Sequence, residues 1–275
     1  MPCSESIEET GNETGLDVPP DSGRENISQT MTALLLLTKL LLNGQFQPGE
    51  RMAEIPLAER LNVSRTPLRL ALMSLEHDGL LEKHPTRGFV VRAFTLADID
   101  DSIEMRGVIE GTAARFAAER LPLDAAGMDS ALHLLRHCIS QLDQVISNSP
   151  RPAVRLFEQY IALNARFHTL LLELARSEVV SREMERILNL PFASPNAFLL
   201  IQSEAPESRE VLVIGQDQHR AMLEAIEQRQ GSRAEALARE HSKLTRRNLR
   251  IALSDRTLRH LVPGVSLIAD VEQIQ

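Results

Sequence analysis

The residues best suited to chemistry are three histidines and an asparagine in the second half of the chain. On a helix beginning near Pro152, the residues Phe157, Ile161, Asn164, His168, Leu171, Leu172 and Ala175 share one face, so Asn164 and His168 point inward one turn apart. His219 precedes Met222 and Leu223 by one turn on a later helix, and His241 lies between Leu237 and Leu244 on the last one. Both therefore face inward. Three imidazoles and an amide from three helices can supply four ligands to a divalent metal ion and leave two coordination positions open. The plainer alternative is three buried histidines bonded to polar neighbours. His133 and His137 provide a contrast. They are also one turn apart, but the apolar stripe Leu132, Leu135, Ile139, Leu142 and Ile146 leaves them on the polar side of their helix as a solvated pair.

A second constellation lies in the segment Pro48 to Val91. Ile55, Leu57, Ala58 and Leu61 form the apolar side of a short helix, and Asn62-Val63 supplies a tight turn. The next helix is capped by Ser64 or Thr66, carries Pro67 in its first turn, buries Leu68, Leu72 and Leu75, and ends at Gly79. Two short helices in this relation form a helix-turn-helix, whose second helix presents its N-terminal residues to the major groove. Those residues are Ser64, Arg65, Thr66 and Arg69, with Arg65 and Arg69 on one face. An arginine can hold guanine bidentately or a phosphate, and a hydroxyl near a helix N-terminus suits a phosphate. Leu80-Leu81 and Phe89-Val91 read as two strands of a β-wing with Arg87 at its tip, within reach of the minor groove or backbone.

The residues Pro48-Gly49-Glu50-Arg51, Leu57-Ala58-Glu59-Arg60-Leu61, Val63-Ser64-Arg65-Thr66-Pro67-Leu68-Arg69, Asp78-Gly79-Leu80 and Arg87-Gly88 resemble the winged helix of the GntR family of bacterial regulators. That resemblance implies that Ser64, Arg65, Thr66, Arg69 and the wing glycine Gly88 approach double-stranded operator DNA. Ile55 and Leu70 depart from it, standing where many members carry arginine and glutamate. These departures point to an operator preference away from the commonest family type.

The segments Asn164-Ala165-Arg166-Phe167-His168, His219 to Ile226 and Ala236 to His241 are similar to the FCD effector domain of the FadR-type branch, and Arg106 and Glu110 fit its Arg-x-x-x-Glu start. In metal-bearing members an Asp and three His hold a divalent ion, and a small carboxylic acid binds at or beside it. The resemblance thus implies a metal site at Asn164, His168, His219 and His241, with zinc as the first choice and nickel or manganese as alternatives. It also implies an effector contact through Arg106 and Glu110. Asn164 occupies the Asp position, and an amide oxygen brings no charge, so metal affinity is expected to be reduced and a metal-free pocket becomes the alternative.

The elements that must position these groups follow from composition and pattern. The chain has 275 residues, 43% of them hydrophobic, and two cysteines, too few for a disulfide scaffold. Its net charge of −8 is uneven, because residues 26–92 carry eight Lys and Arg against six Asp and Glu, leaving that segment alone basic. Residues 1–25 read as a disordered acidic tail, 26–92 as a winged helix-turn-helix domain, 95–254 as an all-α effector and dimerisation domain, and 255–275 as a C-terminal tail. Arg92 to Thr95 reads as a hinge. The expected fold class is mainly α: an N-terminal winged helix-turn-helix followed by an FCD-like helical bundle. The start lacks a basic signal region, and the apolar run Leu34 to Leu42 is short and interrupted by Lys39, so a cytoplasmic protein with no membrane partner is expected.

The expected function is a homodimeric, ligand-responsive transcription regulator, a repressor released by a small carboxylic acid. Two competing classes make different demands. A hydrolase using the histidines would need a positioned general base, and no His-Glu-x-x-His motif supplies one. A purely structural dimerisation protein would take up neither metal nor carboxylate. The chain is therefore not expected to be an enzyme.

Overall fold

The computed structural model describes residues 22–120, 130–147, 154–190, 192–199 and 208–269. The N-terminal part is a winged helix. α1 (Ser22–Leu42) packs on α3 (Arg65–His77) beside α2 (Glu54–Leu61), and β1 (Leu81–His84) pairs antiparallel with β2 (Gly88–Val91). The polar start of α1 had concealed it. The helix begins at Ser22, four residues inside the segment read as tail, and Asn26, Ile27 and Ser28 near its start are exposed, so no apolar stripe marks it there. Residues 1–21 lie outside the described residues.

Local chemistry explains the turns. Asn62 ends α2 in the left-handed region at φ 52°, where its short polar side chain is tolerated. Ser64 occupies the N-cap of α3, but its side chain makes no capping hydrogen bond. Gly88 adopts φ 73° at the wing turn, a conformation that L side chains rarely take. The strand register pairs Leu81 with Val91 and His84 with Gly88.

The C-terminal part is a helical bundle of α4 (Leu96–Glu119), α5 (Ser130–Ser147), α6 (Val154–Ala175), α7 (Glu178–Leu188), α8 (Ser208–Glu227) and α9 (Gly231–Ser254). Residues 121–129, which precede α5, lie outside the described residues. α4 opens with a full capping box, Thr95 and Asp98 bonding each other's backbone amide. Its closest partner is α9. A Cβ on Gly107 would run into Ser242 Oγ, and one on Gly111 would lie 2.8 Å from Arg239 Cγ and 3.1 Å from the Glu235 carbonyl. The two glycines, one turn apart, thus let α4 and α9 approach closely.

The two parts are joined more tightly than the hinge reading of Arg92 to Thr95 expects. Phe94 is buried, and Arg92 stacks over its ring at 4.9 Å. One apolar cluster runs from Leu37, Leu72 and Phe89 of the winged helix through Phe94 to Phe192, Leu253, Val262 and Leu267. The described part of the C-terminal tail is a packed strap. Gly264 donates its amide to the Leu42 carbonyl, and the Phe94 amide donates to Leu267 while its carbonyl accepts from Ala269. The strap contains two short 3-10 turns, Arg259–Leu261 and Val265–Leu267. Between them Pro263 has no donor and Gly264 sits at φ 79°. None of the described helices is long and apolar enough to cross a membrane.

Candidate functional site

α3 presents one exposed face. Ser64, Arg65, Thr66 and Arg69 are exposed while Leu68, Ala71, Leu72 and Leu75 are buried, so amphipathic packing alone turns the polar residues outward. The Arg65 and Arg69 side chains are 70% and 68% exposed and stand 4.0 and 3.9 Å from Glu54 on α2, too far for strong pairing. Arg87 and Gly88 sit at the exposed wing tip. Ile55 and Leu70 are exposed as well, at 58% and 46%. The residues expected at a DNA surface therefore occupy accessible positions of the winged helix.

Inside the bundle, α6 carries Asn164 and His168, α8 carries His219, α9 carries His241, and α4 carries Arg106 and Glu110; all six are buried. One ligand nitrogen from each of the three histidines lies within 4.8 Å of the others. His133 and His137 are exposed, as their helix face predicts. Arg106, Asn164, His168, His241, Thr245 and Asn248 line a cavity of about 330 Å³ including its open mouth, and His219 is wholly buried behind them.

The outer nitrogens of the cluster are each faced by an oxygen. His219 Nδ1 is 3.1 Å from Gln216 Oε1, and His241 Nδ1 is 3.1 Å from Gln218 Oε1. His168 Nδ1 is 2.8 Å from Glu110 Oε1, off the N–H axis, so that contact is electrostatic and not a formed hydrogen bond. An imidazole that donates from Nδ1 keeps its lone pair on Nε2. Nε2 of His219 and Nε2 of His241 are 3.0 Å apart, and Nε2 of His168 is buried without a partner. Facing lone pairs and an orphaned buried nitrogen need a cation or a proton between them. The residues present thus fit a divalent ion held through three imidazole nitrogens.

Electrostatics keep the rings ready to ligate. Burial, reinforced by His241, His168 and Arg220, holds His219 well below the ordinary imidazole value. Burial and His168 bring His241 to about 3, against the opposing pull of Glu110. Both rings are neutral at neutral pH, the form that binds metal. For Glu110, burial favours the protonated form, but His168 and Arg106 outweigh it and hold the carboxyl at about 2. Burial lowers the Arg106 guanidinium, and Glu110 pulls it back up.

The amide and arginine are already engaged. Asn164 Nδ2 donates to Asn196 Oδ1 at 2.9 Å, and Asn196 Nδ2 donates to the Ile161 carbonyl at 3.2 Å, which fixes both amides. Asn164 keeps its uncharged Oδ1 as the acceptor end. Arg106 donates to the Ala193 and Ser242 carbonyls and to Thr245 Oγ1, with Nε 3.6 Å from Glu110. Sequence reasoning missed Gln216, Gln218 and Thr245. Gln216 was recoverable, because it precedes His219 by one turn on the same helix. Thr245 was recoverable in the same way, one turn after His241 on α9, whereas Gln218 lies beside His219 on α8 but turns to His241 of α9, a pairing that no periodic signal marks.

Residues 31–91 match the family of bacterial regulatory proteins, gntR family, and residues 101–244 match the FCD domain. The uncharacterized HTH-type transcriptional regulator YdhC of Bacillus subtilis is 31% identical over 154 residues, 56% of this chain and 64% of that protein. The Nta operon transcriptional regulator of Aminobacter aminovorans is 32% identical over 148 residues, 54% of this chain and 64% of its own length. The matches thus span less than two-thirds of these curated relatives. The E. coli McbR/YncC structure has a TM-score of 0.53 at 22% identity, covering 81% of this chain and 96% of that one, a likeness of fold. Both halves of the molecule lead to one assignment: the chain belongs to the GntR family of regulators, in the branch that joins a GntR winged helix to a C-terminal FCD domain.

Proposed function

We propose that this chain is a homodimeric DNA-binding transcription regulator whose helical half takes a divalent metal ion, zinc first, and a small carboxylic acid. The observation that carries the reading is α3, which buries its leucines and leaves Ser64, Arg65, Thr66 and Arg69 as one exposed polar face beside the wing. Supporting it, the relatives named above are transcription regulators and not enzymes. A repressing sign draws on the HTH-type transcriptional repressor RspR of Escherichia coli, 23% identical over 75% of this chain and 82% of that one.

The metal would be held by His168, His219 and His241 with Asn164 beside them, and it would offer open coordination positions to a carboxylate. Arg106 stands at the cavity wall to pair with such a group, after giving up some of its present bonds. Its bond to the Ala193 carbonyl is the informative one. Ala193 follows Phe192, which packs edge-on against Phe94 at 5.7 Å in the cluster shared with the winged helix. A ligand that draws Arg106 away from Ala193 therefore acts on the segment linking cavity to DNA-binding surface. Asn164 favours one other reading, a regulator whose pocket works without metal. Elemental analysis of the purified protein separates the two.

The test of the DNA reading is a mobility shift on the chain's own promoter region. Arg65→Ala and Arg69→Ala are each expected to weaken binding roughly 5- to 150-fold, the range of one lost base or phosphate contact. Binding as tight as the parent's by both variants would sink it.

A further inference from the structure

Gln216 is bound on both ends of its amide. Its Nε2 donates to the Ile139 carbonyl at 3.2 Å and to Asp143 Oδ1 at 2.6 Å, so its Oε1 must be the atom facing His219 Nδ1 at 3.1 Å. Oxygen in that position accepts only. The amide cannot flip without setting its NH₂ against the ring and its oxygen against a carbonyl and a carboxylate. Asp143 is in turn gripped by Arg220 from Nε and Nη2, at 3.1 and 2.6 Å. The residues form a line from the surface of α5 and α8 to the centre of the bundle: Arg220, Asp143, Gln216, His219. Gln216 is 1% exposed and His219 is 0% exposed, so water does not compete for the inner bond.

We infer that Gln216 is a positioning residue that locks His219 as its Nδ1–H tautomer and thereby presents the Nε2 lone pair to His241 and the histidine cluster. The role is distinct from ligation, because Gln216 meets the ring on the side away from the cluster. His241 is less constrained, since no second bond pins the amide of its partner Gln218 among the described hydrogen bonds. His219 is thus the fixed member of the pair and His241 the one that adapts. As a device for binding metal, the assignment rests on the metal reading above; as a statement about the tautomer, it does not.

The test uses the full-length protein labelled with ¹⁵N in histidine. Long-range ¹H–¹⁵N spectra of the metal-free wild type are expected to show His219 with Nδ1 protonated and Nε2 bare, and a protonated Nε2 there would overturn the proposal before any variant is made. Gln216→Leu removes the acceptor with little change in volume. It should give a mixed His219 tautomer population and a zinc affinity lower by about 10- to 100-fold in chelator competition, the usual effect of losing a ligand's outer partner. A folded Gln216→Leu protein with an unchanged tautomer and unchanged zinc affinity would also overturn it. A wild type that shows the expected tautomer yet takes up no zinc would sink the metal reading and leave the role of Gln216 standing.

Discussion

Three imidazoles and an amide oxygen bring no negative charge to a dication, and Asn164 is where a carboxylate would have supplied one. Glu110 offsets the deficit at a distance, charged at neutral pH and 2.8 Å from the far side of His168. Asn164→Asp should therefore tighten zinc binding by at least about 10-fold, since an anionic oxygen replaces a neutral one beside the cation. Competition against a chromophoric chelator measures it. Unchanged affinity would mean that residue 164 lies outside the coordination shell. The three histidines and Asn164 were legible in the sequence because a 3.6-residue period assigns each to the buried face of its helix. Their hydrogen-bond partners were not. Gln218 meets a histidine of another helix, and Asn196 comes from an irregular segment, so their placement depends on packing that no local pattern records.

The helices were equally legible as apolar stripes, but how closely they pack was not. Gly107 and Gly111 take their meaning from α9 packed against them, because they are what lets α4 bring Arg106 and Glu110 up to Thr245 and His241. Gly111→Val adds a branched side chain whose first carbon already lies 3.1 Å from the backbone carbonyl of Glu235, an atom that a rotamer change cannot move. It should destabilise the protein by about 1–3 kcal/mol in urea denaturation, the cost of overpacking a tight contact. Zinc affinity should fall with it, because α4 and α9 both flank the histidines. Full stability in the variant would show that the two helices do not approach as closely as α4's glycines allow. The ends of elements were the least legible part. The first turns of α1 are too polar to signal a helix, and the strap after Asp255 buries Leu258, Val262, Leu267 and Ile268 at spacings that follow neither a helical nor a strand period.

At the scale of the whole molecule, the division into a winged-helix half and a bundle half is a division of surface, not of core. The cluster that contains Leu37 and Leu72 of the winged helix also contains Phe192, Leu253 and Leu267, and Phe192 belongs to the segment whose Ala193 and Asn196 bond Arg106 and Asn164 at the cavity. A shared core makes the halves unfold together, and any ligand bound only to the folded bundle then stabilises both. Heating the wild type should give one cooperative transition, and zinc should raise it, by up to about 2.7 kcal/mol of added stability at a hundredfold excess over its dissociation constant. Phe192→Ala removes a ring that stacks on Phe198 at 5.9 Å and meets Phe94 edge-on, a loss of about 3–5 kcal/mol centred on the junction. The variant should melt in two steps, with zinc shifting only the bundle's step. Calorimetry with and without zinc distinguishes the cases. Two transitions already present in the wild type, or one zinc-sensitive transition persisting in the variant, would show that the route from cavity to winged helix does not run through Phe192.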